Sequence, residues 1–299
     1  MEWLTAIKST INYIEDHIKE DIKIDDLANN VYVSSFYLQT GFQIMTGYSL
    51  GEYIRNRKLY LADLDLLNDK KIIDVAFDYG YETPEAFTKA FKRFHGFLPS
   101  KVKINKVKVF NSLTVNVVIN GGEFMNLNYK ITDMFPIKLI GFVREFDMSD
   151  SHKKIPLFWD EICEKYCYPH IYRGLPAVND YEQAIVDNCI GEFGVCIECH
   201  GTKFKYLIAG KYCGGKVPEG MMIYEFPAGK WAIFDCVGPC PEKLQELNTK
   251  IFKEWLPLNK DFELRGDGNI EWYDCVNGEK TDSDYHTQIW LPIKSLIKR

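Results

Sequence analysis

Three groups of basic side chains, Arg55/Arg57/Lys58, Lys89/Lys92/Arg93 and Lys101/Lys103/Lys106, lie in the first third of the chain. Clustered ammonium and guanidinium groups neutralise phosphates, and the counterions they release make such binding steeply salt-dependent. A different chemistry is available near the other end. Read as a strand, Ile270–Asp274 puts Glu271 and Tyr273 on one face and Ile270, Trp272 and Asp274 on the other. A carboxylate among aromatic rings loses solvation and its pKa rises; a ligand cation offsets that cost, and ring faces attract it as well. A third candidate is the CxxCH string Cys196, Cys199, His200, a spacing known from metal and haem sites. Its surroundings read as a strand, on which residues three apart point to opposite faces, and no second CxxC pair exists. No metal and no cofactor are expected, and no catalytic residue is assigned.

The elements that must position the basic groups repeat. Ile24–Gly47 and Ile72–Gly96 each read as a short helix with an apolar pair (Leu27/Ala28, Val75/Ala76), a turn, a polar cap, and a helix closed by Gly. This is the order of a helix-turn-helix, whose second helix presents side chains to base edges. Ser34 is placed to cap one such helix and Thr83 the other, with Pro84 at the first helical position, where a missing N–H costs nothing. Ser49 and Glu52 form a capping box ahead of a connecting helix that runs to Asn68, with Tyr53, Ile54, Tyr60, Leu61, Leu64 and Leu67 at roughly helical spacing. A rod of about 18 residues is about 27 Å long, enough to hold two reading helices about one DNA turn (roughly 34 Å) apart.

GYSLGEYIRNRKLYLADLDLL followed by IIDVAFDYGYETPEAFTKAFKRFHGFLPSKVK resembles the DNA-binding module of AraC/XylS-type transcription regulators, over about residues 7–104. In the second unit Ala76, Gly80, Tyr81, Phe87, Phe91, Lys92, Gly96 and Pro99 fall where the family pattern has them. The resemblance implies that Tyr37, Gln39, Thr40 and Gln43 face DNA from the first reading helix, and Glu85, Thr88, Lys89 and Lys92 from the second. Arg55 and Arg93 join them from the basic clusters. In one respect the chain departs from the pattern: Ser34–Gly47 contains no Lys or Arg, whereas the family usually has basic residues at the positions of Thr40 and Gln43. Residues 1–106 carry a net charge of −1. Modest affinity with strong salt dependence is expected, with the first unit reading bases through amide and hydroxyl groups or contributing little.

At 299 residues, 46% hydrophobic and 26% charged, the chain should form two or three domains with sizeable cores. No apolar run approaches the 18 or so residues of a membrane helix, and the N-terminus lacks a signal pattern. A cytoplasmic location without membrane contact is expected. All nine cysteines, which lie beyond residue 160, should then be reduced and mostly buried as small apolar residues.

Helical periodicity ends near Pro99–Lys103. Residues 106–125 read as a linker, with a β-branched stretch over Val107–Ile119 and a break at Gly121-Gly122, long enough for the flanking domains to move. Strands are expected at Asn128–Asp133, Lys138–Phe146, Ile190–His200, Lys205–Tyr212, Met221–Phe226, Lys230–Val237, Phe262–Leu264, Ile270–Cys275 and Gln288–Pro292, and helices at Ile155–Tyr166 and Pro241–Trp255. The order strand–helix–strand–strand occurs twice, which suggests a duplication about a pseudo-twofold axis with a groove between the halves.

Residues 126–298 resemble the GyrI-like, SOUL-related effector-binding domain, on the strings PAGKWAIFDCVGP, FKEWLP, IEWYDC and QIWLPIK. The resemblance implies that Glu271 sits in an aromatic pocket that meets cationic, lipophilic ligands. Tyr273, Trp159, Trp231 and Trp290 are the candidate partners around it, and the net charge of −5 over residues 107–299 favours a cation. The fold expected is thus an α+β multidomain chain. An all-α tandem helix-turn-helix module spans residues 1–105, a linker 106–125, and a duplicated β-α-β-β domain 126–299. The function expected is a ligand-responsive transcription regulator, not an enzyme, binding double-stranded DNA and a small effector, with RNA polymerase a possible further partner. The alternatives are a GyrI-like hydrolase using Glu271 with Tyr273, or a protein that sequesters small molecules.

Overall fold

The computed structural model describes residues 3–115, 127–266, 268–275 and 279–296. The first part is helical: α1 (Trp3–Asp16), α2 (Ile24–Val31), α3 (Ser35–Thr46), α4 (Leu50–Leu67), α5 (Ile72–Asp78) and α6 (Pro84–His95), followed by a 3-10 turn over Pro99–Ile104. The local signals are satisfied as expected. Ser34 accepts from the Tyr37 amide, Ser49 from Glu52, and Thr83 from Ala86 ahead of Pro84. Both reading helices, α3 and α6, end at a left-handed glycine, Gly47 and Gly96.

Two cores hold this part. Leu59, Ala62 and Leu66 of α4 pack with Val75, Ala76, Tyr79, Phe87 and Phe91 around the second unit. Around the first unit, Ile7, Ile11, Leu27, Val31, Phe42 and Tyr53 belong to a cluster that continues without a break into the second half of the chain. Arg57 is buried between these layers. Its guanidinium grips the Glu15 carboxylate through Nε and Nη2 and donates through Nη1 to the Phe110 carbonyl. Arg57 therefore leaves the set of expected phosphate contacts: it is a structural ion pair, and a bidentate pair of this kind satisfies the charge that burial would otherwise strand.

Residues 106–115 form no strand but lie along the helical part, where the Phe110 ring meets Tyr48, Tyr53 and Phe94. The rest of the expected β-branched stretch, residues 116–119, and the break at Gly121-Gly122 lie outside the described residues.

The second half is one curved antiparallel sheet. Its strands are β1 (Tyr129–Met134), β2 (Ile137–Asp147), β3 (Phe193–His200), β4 (Lys203–Lys211), β5 (Met221–Phe226), β6 (Gly229–Val237), β7 (Phe262–Leu264), β8 (Asn269–Tyr273) and β9 (His286–Ser295). The order is β1-β6-β9-β8-β3-β4-β2-β5, with β7 on β9. The duplication is visible in it. β2, β3 and β4 mirror β6, β8 and β9 across the central β3–β8 pairing, while β1 and β5 are exchanged onto the opposite half. The crossover helices are α7 (Ser151–Ile162), continued by wider π-type turns to Tyr172, α8 (Asp180–Asn188), and α9 (Glu242–Lys250), likewise continued to Trp255. Helix α8, capped by Asn179, is absent from the expectation.

Alternation along the strands sorts side chains to two faces. One face meets the helices. The other buries Leu139, Phe193, Val195, Leu207, Trp231 and Ile270 among strand residues alone, with no helix contributing. The CxxCH reading requires a correction here. Cys196 and Cys199 face the same core, because a bulge at Glu198, with φ +47°, adds a residue between them and resets the alternation. Among the described residues no His, Cys, Asp or Glu group is arranged to hold a metal.

Candidate functional site

A cavity of about 390 Å³ opens on the helix-covered face of the sheet, between α7 and α9. That is the size of a small-ligand site. Glu271, from the middle of β8, lies on its floor. Tyr206 of β4 and Tyr273 of β8 both donate to Glu271 Oε2, at 2.8 and 2.9 Å. Trp159 of α7 donates from Nε1 to the Tyr206 hydroxyl at 2.9 Å, and its ring lies edge-on to Tyr273 at 4.9 Å. The sequence permits this convergence at one position in particular. Gly194 of β3 stands opposite Glu271, and a Cβ there would fall 2.1 Å from the Tyr206 hydroxyl and 2.8 Å from Glu271 Oε2.

The electrostatics follow from burial. Desolvation raises the Glu271 pKa, and the two hydroxyl donors counter it only in part. The Tyr206 and Tyr273 hydroxyls are pushed up strongly, by burial first and then by the adjacent carboxylate, so both remain donors. Lys280 hangs over the same place, its Nζ 4.6 Å from the Trp159 ring centre and 5.7 Å from that of Tyr273. Asn269, two residues before Glu271 on the same face, lines the cavity with a buried Oδ1 that has no hydrogen-bond partner among the described residues. A desolvated carboxylate, ring faces and a free acceptor make a receptor for a cation or an N–H donor.

Of the five expected effector residues, Glu271, Tyr273 and Trp159 meet at this cavity. Trp231 and Trp290 do not. Both point to the other face of the sheet, where Trp231 packs on Phe226 and Trp290 on Phe193. The reason is strand parity: Trp290 stands opposite Ile270, the neighbour of Glu271, and so shares the face that Ile270 takes. Tyr206 was missed, although Phe204, Tyr206 and Ile208 alternate along β4 and announce an aromatic, core-facing row.

The fourth wall of the cavity comes from the helical half. Phe36, Tyr37 and Thr40 of α3 line it. Tyr37 donates its hydroxyl to the Gly268 carbonyl at 2.7 Å, and Gln39 Nε2 donates to the Gly201 carbonyl at 2.6 Å. The Phe36 ring meets Phe204 at 5.7 Å. Tyr37 and Gln39, expected to face DNA, are therefore turned into the protein, at 1% and 6% exposure. Thr40 and Gln43 are half-buried. Gly41 makes the close approach possible, since a Cβ there would fall 2.0 Å from the Trp3 ring and 2.9 Å from Phe252, two rings that pack on each other across it.

The second reading helix is arranged differently. Phe87 and Phe91 are buried, while Glu85, Lys89, Lys92 and Arg93 are exposed and Thr88 is half-buried. Arg55 of α4 is exposed as well. Lys101 and Lys106 are exposed, whereas Lys103 is paired with Asp69. The cations of α6 thus face solvent.

The sequence pattern of the integron-associated effector binding proteins matches residues 130–293, and that of a helix-turn-helix domain matches residues 27–104. The uncharacterized HTH-type transcriptional regulator YbfP of Bacillus subtilis (strain 168) is 40% identical over 100 residues, 33% of this chain and 34% of YbfP. The regulatory protein SoxS of Salmonella typhimurium (strain LT2) is 38% identical over 95 residues, 31% of this chain and 89% of SoxS. The chain thus spans about a third of the first of these relatives and most of the second. Among solved structures, SAV2435 bound to tetraphenylphosphonium aligns with 56% of this chain and 94% of its own, at 19% identity and a TM-score of 0.44.

Proposed function

We propose, for a chain that belongs to the family of integron-associated effector binding proteins and carries an AraC-type helix-turn-helix module, a ligand-responsive transcription regulator whose cavity takes a compact lipophilic cation. The module of residues 1–105 binds double-stranded DNA, and the half from residue 126 onward holds the effector. The observation that carries the reading is Glu271: a carboxylate with a raised pKa, held by two tyrosine hydroxyls, beside the Trp159 and Tyr273 rings. A cation entering the cavity stabilises the ionised form, which burial penalises, and gains from the ring faces. Binding changes DNA affinity only to the extent that the two conformations of the chain bind the cation differently.

On the DNA side, Lys89, Lys92 and Arg93 of α6, with Arg55 of α4, make the phosphate and base contacts. The reading involves no catalytic step. Among the described residues no helix is long and apolar enough to cross a membrane.

A thermal-shift and calorimetric titration of the full chain with tetraphenylphosphonium tests the effector half of the reading. A ligand that binds the native state raises its melting temperature. Stabilisation by the cation that is lost in Glu271→Gln supports the proposal, and equal affinity in parent and variant contradicts it.

A further inference from the structure

The face of α3 that a helix-turn-helix would turn toward DNA is occupied by the second half of the chain. Tyr37 and Gln39 spend their polar atoms on the carbonyls of Gly268 and Gly201, and Phe36 is fixed by Phe204. None of these contacts resembles a loose surface patch. Both side-chain donors are buried, and breaking the docking would leave them and the Gly268 and Gly201 carbonyls to find water instead. The same three turns of helix also present Phe36, Tyr37 and Thr40 to the cavity that holds Glu271.

We infer that the effector site is a composite of both halves, in which Phe36, Tyr37 and Thr40 of the first reading helix touch the ligand and help to select it. The inference rests on the effector reading above and extends it to residues outside the effector-binding half. It has two consequences. Ligand selectivity depends on Thr40 at the roof as well as on Glu271 at the floor. A compact cation that contacts α3 stabilises the docked arrangement, in which α3 is unavailable to a DNA groove. DNA that takes α3 into a groove must first undock it, so linkage requires that the cation weaken DNA binding and that DNA weaken cation binding by the same factor, on the order of 5- to 150-fold for typical couplings.

The test uses the full chain and tetraphenylphosphonium as the probe. Thr40→Trp fills the roof of the cavity without touching Glu271, and Thr40→Ala enlarges it with little risk to folding. Hydroxyl-radical labelling of Tyr37, with the exposed Tyr32 as an internal reference, reports whether α3 remains docked. The inference expects at least a tenfold loss of cation affinity in Thr40→Trp with Tyr37 still protected, and a measurable change in affinity in Thr40→Ala. Parent affinity in both variants, with Glu271→Gln still defective, overturns the composite site and leaves the effector reading standing. A parent chain that binds no cation overturns that reading by itself. The labelling then judges the wall alone: Tyr37 labelled as readily as Tyr32 overturns it, and a protected Tyr37 sustains it.

Discussion

Helices α3 and α6 occupy equivalent places in two copies of one motif, yet no residue of α3 is exposed, whereas α6 turns a row of charged side chains to solvent. The difference lies in composition before it lies in packing. SFYLQTGFQIMT carries no charged side chain that would demand full solvation, and six of its twelve residues are buried while the other six are half-buried. PEAFTKAFKRFH buries only the stripe of Phe87 and Phe91 and ends with Lys92, Arg93 and His95 in the last turn. A duplicated motif can thus keep its backbone and caps while one copy packs against the ligand-binding half and the other turns its charges to solvent.

The largest effect that would break the comparison concerns DNA. Replacing Lys89 and Lys92 together by Ala should weaken binding of any duplex by about 10- to 100-fold at physiological salt and lower the slope of log affinity against log salt by about 2. Replacing Thr40 and Gln43 by Ala should leave that slope unchanged. Equal slopes for the two double variants, measured by fluorescence anisotropy across a salt series, would erase the distinction between the helices.

Next in size is packing. Gly41→Ala places a methyl against Trp3 and Phe252 and should destabilise the chain by about 1–3 kcal/mol, with faster labelling of Tyr37. Ala86→Ser, on the exposed side of α6, should stay within about 0.5 kcal/mol. Thermal melts of the two variants side by side check this, and a silent Gly41→Ala would contradict the tight docking.

The apparently uniform interior of the helical part hides one acid that sharpens the picture. Asp63 of α4 is fully buried, neither carboxylate oxygen has a partner among the described residues, and desolvation lifts its pKa from 3.8 to about 6. Because the folded-state pKa is the higher one, its favourable contribution is complete below pH 3.8 and disappears as pH rises through about 6. Asp63→Asn should therefore gain about 1–3 kcal/mol over the parent above pH 7, with the gain vanishing near pH 4. A pH-independent difference would place the cost elsewhere.

The smallest effects lie in the cavity. Cation affinity should rise with pH through the raised pKa of Glu271, above the ordinary 4.5, as the carboxylate ionises, and be flat in Glu271→Gln. Lys280 already holds an ammonium over Trp159, so Lys280→Met should tighten binding of tetraphenylphosphonium by a few fold. Looser binding in that variant would mean that Lys280 supports the site instead of competing for it.

Much of this was legible in the sequence, for identifiable reasons. Caps at Ser34, Ser49 and Thr83 are local chemistry, and all three occur as read. Strand parity placed Glu271 beside Tyr273 and apart from Ile270 and Trp272, and the same rule, applied across the pairing of β8 with β9, would have excluded Trp290. What stayed hidden depends on contacts between segments far apart in the chain. The absence of Lys and Arg from α3 was plain, but it pointed to weak DNA reading; that Tyr37 meets Gly268, or Gln39 meets Gly201, is not encoded in any local pattern. Arg57 was hidden for the same reason, since its partner Glu15 lies on a different helix. The Cys196/Cys199 alternation failed at a single bulged residue, Glu198, for which the sequence gives no glycine to announce it.

The most direct test of the shared role of α3 is the Kd of the full chain for duplex DNA, measured with and without saturating tetraphenylphosphonium, in the parent and in Glu271→Gln. A helix that forms the cavity wall and must leave it to enter a DNA groove predicts DNA binding at least fivefold weaker in the presence of the cation, with no change in the variant. DNA affinity that is the same with the cavity filled and empty would contradict it.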